Sequence, residues 1–140
     1  MKKYKSNSDY YSSSHSVYKC SYHIVLCPKY RHKILRGKIS ERLREIVHFI
    51  AKMNDFIIEE IEADKDHVHM IIICNPRFGI MKCVNLIKSS TARTLFSDFP
   101  ILKTKYLWGG KFWSRSTFVA TVGSVSLEVV KRYIENQGKT

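Results

Sequence analysis

Residues 66–73 read DHVHMIII, and this stretch decides the fold. Its apolar end is rich in β-branched side chains, which favours a buried β-strand. Side chains alternate between the two faces of a strand, so His67 and His69 project from the same face. The pair is either two hydrogen-bonded polar residues on a half-exposed strand or a rigid platform of two imidazole ligands for a metal ion. Features elsewhere in the chain favour the metal platform.

Hydrophobic periodicity on both sides of this strand predicts the other elements. Further strands are expected at 17–27, 56–63 and 117–122, and helices at 38–54, 78–96 and 126–136. The resulting order of strand, helix, strand, strand, helix, strand is that of the ferredoxin-like split β-α-β fold. We therefore expect an α+β protein with an antiparallel four-stranded core sheet, helices on one face, and an extra C-terminal helix.

Composition divides the chain into a tail and one domain. The 140 residues are enough for a single buried core, and 44% of them are hydrophobic. Residues 1–16 are basic, polar and poor in aliphatic side chains, so we expect a flexible N-terminal tail before a domain at 17–140. No run approaches the ~18 consecutive apolar residues of a membrane span, and the N-terminal residues do not form a secretory signal. We expect a cytoplasmic protein with reduced cysteines and no membrane partner.

The charge of the chain is strongly one-sided. Twenty-four Lys and Arg against twelve Asp and Glu give a net charge of +12. An excess of this size in a short chain favours a polyanionic partner, above all nucleic acid. The candidates for phosphate contacts are the basic side chains Lys29, Arg31, Lys33, Lys88 and Arg93. The alternative for each is a solvated surface charge, which is the usual place of Lys and Arg.

The last predicted helix carries a tyrosine and an amide one turn apart. Residues 133–137 read YIENQ, so Tyr133 and Gln137 share a helix face. A tyrosine hydroxyl can attack a phosphodiester and hold the DNA end as a phosphotyrosine ester, which conserves the bond energy for rejoining. Its ordinary pKa is about 10, so the hydroxyl needs help near neutrality. A divalent metal at the scissile phosphate would supply that help.

The ordered set of motifs resembles one known family. The other motifs are YRHK at 30–33, KSSTAR at 88–93 and WGG at 108–110. Together with DHVH at 66–69 and YIENQ, they make residues 17–137 similar to the single-tyrosine HUH transposases of the smallest bacterial and archaeal insertion sequences. The resemblance implies that His67, His69 and Gln137 are metal ligands and that Tyr133 is the nucleophile.

The same resemblance implies a substrate and an assembly. The substrate would be single-stranded DNA with hairpin-bearing element ends, which is cut and rejoined through a 5′-phosphotyrosine intermediate. The protein would be a homodimer in which each active site takes its histidines from one chain and its tyrosine helix from the other.

The donor set limits the choice of metal. Two imidazoles and one amide oxygen leave positions open for phosphate oxygens and water, and the sequence offers no carboxylate cluster for a two-metal nuclease. Imidazole ligands suit Mn²⁺, and Mg²⁺ bound with phosphate oxygens is the other candidate. Zinc usually takes a closed tetrahedral set, which this chain does not offer.

Two other functions are compatible with parts of the pattern. A nucleic-acid-binding ferredoxin-like module without catalysis would need aromatic side chains on its central strands, whereas the third strand carries two histidines followed by aliphatic residues. A replication or conjugation initiator of the HUH type would usually be longer. The transposase interpretation accounts for more of the chain.

Overall fold

The computed structural model describes residues 4–5, 11–12, 17–18, 20–123 and 127–137. The strands are β1 (Tyr4–Lys5), β2 (Tyr11–Ser12), β3 (Val17–Tyr18), β4 (Ser21–Leu26), β5 (Ile57–Asp64), β6 (His67–Ile73) and β7 (Phe118–Thr121). The helices are α1 (Gly37–Asn54), α2 (Ile80–Asp98) and α3 (Leu127–Gln137). Short helical turns at Lys29–Arg31 and Leu102–Tyr106 complete the described structure.

The main sheet has the strand order β5-β6-β4-β7, and every neighbouring pair is antiparallel. The units β4-α1-β5 and β6-α2-β7 are therefore interleaved, with β6 lying between β4 and β5. This arrangement confirms the predicted ferredoxin-like split β-α-β sheet.

The main core lies between the sheet and helices α1 and α2. Strands β4 and β6 contribute Ile24, Leu26, Val68, Met70 and Ile72 to it, all of which are almost fully buried. Because these side chains alternate with outward-facing ones, the other face of the same strands carries His23, Val25, His67 and His69. Periodicity alone predicted this division of the sheet into two faces.

Helix α3 packs on the face opposite α1 and α2. A second, smaller cluster joins α3 to the sheet, and its members are Val25, Cys27, Phe118, Val130, Tyr133 and Ile134. The predicted C-terminal helix is thus confirmed, and its apolar side covers the outward side chains of β4 and β7. None of the described helices is long and apolar enough to cross a membrane.

Two local features differ from the sequence-based expectation. The strand predicted at 17–27 is divided, because Val17–Tyr18 pairs with β2 in a separate three-stranded sheet while Ser21–Leu26 joins the main sheet. Strands β1 and β2 lie within the segment predicted to be a flexible tail, and they pair with each other in antiparallel register. The flexibility of residues 1–16 as a whole stays a prediction. Ser126, the first residue of the helix predicted at 126–136, lies outside the described residues.

Candidate active site

The histidine pair stands at the start of β6, beside an open cleft of about 370 Å³. His67 and His69 are half-buried and point away from the main core. The antiparallel register sets Asp64 of β5 opposite His67, and Glu62 opposite His69. Helix α3 supplies the facing wall through Val130, Lys131 and Ile134. The cleft therefore combines the predicted metal ligands with the helix that carries Tyr133.

His67 is oriented by a chain of polar contacts. Its Nδ1 lies 2.9 Å from Asp66 Oδ1, and the second oxygen of Asp66 lies 2.8 Å from Nε of Arg31. Burial would raise the pKa of the Asp66 carboxyl, but the hydrogen bond from His67 and the charge of Arg31 outweigh it and hold the pKa below its ordinary value. Asp66 is therefore ionised and accepts from Nδ1, which leaves His67 Nε2 available as a ligand.

Arg31 also connects these polar contacts to α3. Its Nη1 donates to the backbone carbonyl of Glu135 at 3.3 Å. Arg31 and the preceding Tyr30 both have φ near +60°, at 55° and 58°, in the left-handed region that non-glycine residues rarely occupy. The turn that follows β4 thus directs Arg31 inward, to the carboxylate beside His67 and to the end of the tyrosine helix.

His69 has an imidazole partner that sequence reasoning missed. Nδ1 of His23 lies 3.0 Å from Nε2 of His69, and the two rings stack with centroids 5.2 Å apart. Burial, followed by the charge of His23, lowers the pKa of His69, so its ring is neutral at neutral pH. A neutral imidazole is the form that binds metals. The signal for His23 was its position between apolar residues of β4, on the same face as Val25.

His67 and His69 have the donor chemistry of two imidazole ligands for a divalent cation. His67 and His69 share a face, and each has a hydrogen-bond partner that fixes its ring. Across the described ranges, no group of three His, Cys, Asp or Glu side chains could hold a metal ion. The third protein ligand implied by the resemblance, Gln137, is in α3, but its side chain lies outside the described structure.

Tyr133 lies on the inner side of α3. Its ring packs on Phe118 with centroids 4.9 Å apart, and its hydroxyl donates to Ser116 Oγ at 3.4 Å. Burial raises the pKa of Tyr133 above the ordinary value, although the Ser116 hydrogen bond lowers it in part. The phenol is therefore protonated at neutral pH.

Tyr133 packs on the same face of the sheet as the histidines, but over a different strand. His69 pairs with Val25, and Val25 pairs in turn with Phe118, so one strand separates His69 from the ring under Tyr133. Val130, Lys131 and Ile134 line the histidine cleft, whereas Tyr133 packs toward β7. Within one chain, the structure does not bring the Tyr133 hydroxyl to the histidines.

Two of the five predicted DNA-contacting cations are engaged inside the protein. Arg31 makes the contacts described above. Lys88 is half-buried on α2, and its Nζ donates to Ser114 O at 3.0 Å and to Thr117 Oγ1 at 3.2 Å. Burial lowers the pKa of Lys88. Both side chains position loops near β7 or β6, and their contact with DNA stays a prediction.

The other three cations lie on the surface in different regions. Lys33 is exposed just after the turn at Lys29–Arg31, and Lys29 lines a second cleft near that turn. Arg93 lines a groove between α1 and α2, in the helical layer on the far side of the sheet. Lys131, which sequence reasoning missed, is an exposed cation that lines the histidine cleft itself.

Comparisons with known proteins agree with this architecture. The family model "Transposase IS200 like" matches residues 16–137. The ISDra2 transposase TnpA of Deinococcus radiodurans is 36% identical over 121 residues, which are 86% of this chain and 86% of that protein. The transposase for insertion sequence element IS200 of Salmonella typhimurium is 30% identical over 126 residues, which are 90% of this chain and 82% of that protein.

Solved structures show the same fold. A provisionally assigned transposase from Deinococcus radiodurans superposes with a TM-score of 0.81 at 35% identity, covering 90% of this chain and 96% of that one. A REP-associated tyrosine transposase bound to a REP hairpin has a TM-score of 0.57 at 10% identity, covering 91% of this chain and 76% of that one, and supports the fold alone. The family match spans both the histidine strand and the tyrosine helix, and this chain belongs to the IS200-like transposase family.

Proposed function

We propose that the protein is a single-tyrosine HUH transposase, which cuts and rejoins single-stranded DNA at hairpin-bearing insertion-sequence ends. One observation carries the proposal: the cleft beside His67 and His69 is walled by α3, the helix that bears Tyr133. The alternative of a binding module is weakened because α3 covers the outer face of β4, where such a module would display aromatic side chains to bases.

Tyr133 acts as the nucleophile in this proposal. Its hydroxyl oxygen attacks the phosphorus of the scissile phosphodiester, and the bond from phosphorus to the 3′ oxygen breaks. Tyr133 loses one proton and the leaving 3′ oxygen takes one up, so that a free 3′-hydroxyl is released. The product is a 5′-phosphotyrosine ester, which a later 3′-hydroxyl can attack to rejoin the strands. Because the phosphotyrosine ester conserves the energy of the phosphodiester bond, the reaction needs no nucleoside triphosphate.

His67, His69 and Gln137 would hold a divalent Mg²⁺ or Mn²⁺ ion, which polarises the scissile phosphate and stabilises developing charge when bound. The chain's own residues prepare this position: Asp66 fixes the ring of His67, and His23 packs on the ring of His69. Lys131 supplies a positive side chain at the same cleft.

We further propose a homodimer with shared active sites. The Tyr133 hydroxyl is turned to Ser116, away from the histidines of its own chain. Gly123, with φ of +94°, precedes α3 and adopts backbone angles closed to other residues, so a change there could move α3 out of its own cleft and present Tyr133 to the histidines of a partner. The activity would lie in the cytoplasm, where the DNA substrate is found.

Mixing two inactive variants tests the shared site. A heterodimer of His67→Ala and Tyr133→Phe chains, coexpressed with different tags, should regain cleavage because one composite site then holds intact histidines and an intact tyrosine. Each variant alone should be inactive. An inactive heterodimer, formed from two variants that are both folded, would mean that each chain uses its own tyrosine.

Incubation with labelled single-stranded DNA that carries the element's own ends tests the reaction itself. A protein–DNA band that survives denaturation should form with Mg²⁺ or Mn²⁺ and disappear in EDTA. A hairpin-bearing single strand should react better than a perfect duplex of the same sequence. An adduct yield that is unchanged by EDTA would contradict the metal role, and equal cleavage of duplex would contradict the substrate.

A further inference from the structure

A second cleft, separate from the histidine cleft, lies between the turn after β4 and the loop before β7. Its volume is about 690 Å³, and its lining residues are Lys29, Tyr30, His32, Tyr106, Leu107, Trp108, Gly109 and Lys111. We propose that this aromatic cleft binds an unpaired nucleobase of the single-stranded DNA substrate by stacking. This inference rests on the proposed function for its substrate class.

Two aromatic side chains are presented at this cleft rather than buried. Tyr30 is 81% exposed and Trp108 is 79% exposed, the highest values among the large hydrophobic residues that the structure describes as exposed. Exposing two large aromatic surfaces in water is unfavourable unless a ligand covers them. Both side chains line one concave site, which suits a flat aromatic ligand.

Local structure holds both side chains in their exposed positions. Tyr30 has a φ of 58°, a conformation that non-glycine residues rarely adopt, and such strain is found mostly at functional positions. The Trp108 indole donates its N–H to Lys105 O at 3.2 Å, which fixes the ring while its face stays open. The exposure is therefore built into the turn and the loop.

The surroundings favour a nucleotide. His32 contacts both Tyr30 and Tyr106 edge to face, with centroids 6.2 and 5.9 Å apart, and extends the aromatic wall. Lys29 and Lys111 line the same cleft, and their positive charges suit the phosphates that flank a stacked base. Proteins that bind single strands without base pairing combine aromatic and cationic side chains in this way.

One turn connects this cleft to the candidate active site. Tyr30 lines the cleft, and the next residue, Arg31, contacts Asp66 beside His67. In this proposal, a strand with its scissile phosphate at the histidines places another of its bases in the aromatic cleft. Bound in this way, the base would fix the register of the strand relative to the reacting phosphate.

Trp108 is a natural reporter for this binding. The only other tryptophan, Trp113, is 6% exposed and donates to Thr91 Oγ1 in the core, so its emission should respond little. A short oligothymidylate should quench the emission of the native protein, and the Trp108→Phe protein should still bind but lose the quenching. The unchanged Trp113 emission then verifies folding of each variant.

Affinity measurements with a labelled oligothymidylate complete the test. Tyr30→Ala and Trp108→Ala should each weaken binding about fivefold to a hundredfold, as expected for the loss of one base–aromatic stack. Tyr30→Phe should restore binding, and Phe49→Ala, which removes an exposed aromatic on the helical layer, should change nothing.

Two results would overturn the aromatic cleft. The first is an unchanged affinity for oligothymidylate in both alanine variants. The second is that the alanine variants lose as much affinity for an oligonucleotide made of abasic sites as for oligothymidylate, which would show that these side chains contact the phosphates and not a base. Failure of the proposed function looks different: no covalent adduct forms with the element's ends, while Trp108 quenching by oligothymidylate persists.

Discussion

His67 and His69 stand on β6, a central strand with neighbours on both sides, whereas Tyr133 stands on a helix that reaches the sheet through a small apolar cluster. Both histidine rings have partners on the sheet or in its turns, namely His23 and Asp66. Among the described residues, the Tyr133 hydroxyl makes one long hydrogen bond of 3.4 Å, to the exposed Ser116. The histidines that we propose as ligands are thus held by closer contacts than the tyrosine that we propose as nucleophile.

This difference has a functional meaning. Metal ligands must be held closely in position, and strands of a packed sheet do this better than terminal helices. In the proposed reaction, a DNA end attached to Tyr133 would be carried from one DNA strand to another, which would require movement of the tyrosine relative to the histidines. The proposed division between a fixed half and a movable half serves both needs.

The largest expected effect comes from the fixed half. His67→Ala and His69→Ala should each abolish the covalent adduct, because no third histidine, cysteine or carboxylate in the described structure completes a metal group. His48→Ala, on the exposed side of α1, is the matched control and should be fully active. Adduct formation at the native rate in either site variant, with thermal unfolding also unchanged, would remove these residues from the mechanism.

A smaller effect is expected from the residue that orients His67. Asp66→Asn keeps the shape but loses the charge that accepts from Nδ1, and such changes typically cost 10- to 100-fold in metal affinity. Titration of single-turnover cleavage with Mn²⁺ should show a higher half-saturating concentration and a similar maximum. Asp98→Asn, which alters an exposed ion pair with Arg42, is the control. Equal Mn²⁺ curves for both variants would show that Asp66 does not position His67 for the metal.

The smallest effect is expected at Gln137. Gln137→Ala should slow cleavage less than either histidine change, because water can occupy a vacated ligand position. Asn136→Ala, at an exposed neighbouring position of α3, serves as its control. A complete loss of cleavage in Gln137→Ala, equal to that of His69→Ala, would mean that the helix carries a ligand as important as the strand does.

Local elements and long-range contacts of the candidate site differ in how well the sequence predicts them. The alternation in DHVHMIII predicts both the strand and the shared face of His67 and His69, because the period of a strand is local. Helix periodicity likewise predicts α1, α2 and α3. The His23–His69 contact joins residues 46 positions apart, and it depends on strand pairing that no single segment encodes.

The roles of individual Lys and Arg side chains could not be predicted from the sequence either. Arg31 and Lys88 look like ordinary basic surface residues until the turn after β4 and the loop before β7 come into position. The exposed Trp108 and the buried Trp113 lie in the same short glycine-containing segment. Their sequence surroundings do not reveal which of the two is buried, because tertiary packing decides it. Local pattern therefore predicts elements and faces, whereas tertiary contacts decide what each charged or aromatic side chain does.

The most direct test of the proposed mechanism is to locate the covalent bond. The native protein is incubated with Mn²⁺ and element-end DNA, digested with protease and nuclease, and analysed by mass spectrometry. The mechanism predicts a nucleotide attached to Tyr133 through its 5′ phosphate, and a Tyr133→Phe protein that still folds and binds the DNA but forms no adduct. A nucleotide attached to any other residue, or an adduct that persists in Tyr133→Phe, would contradict it.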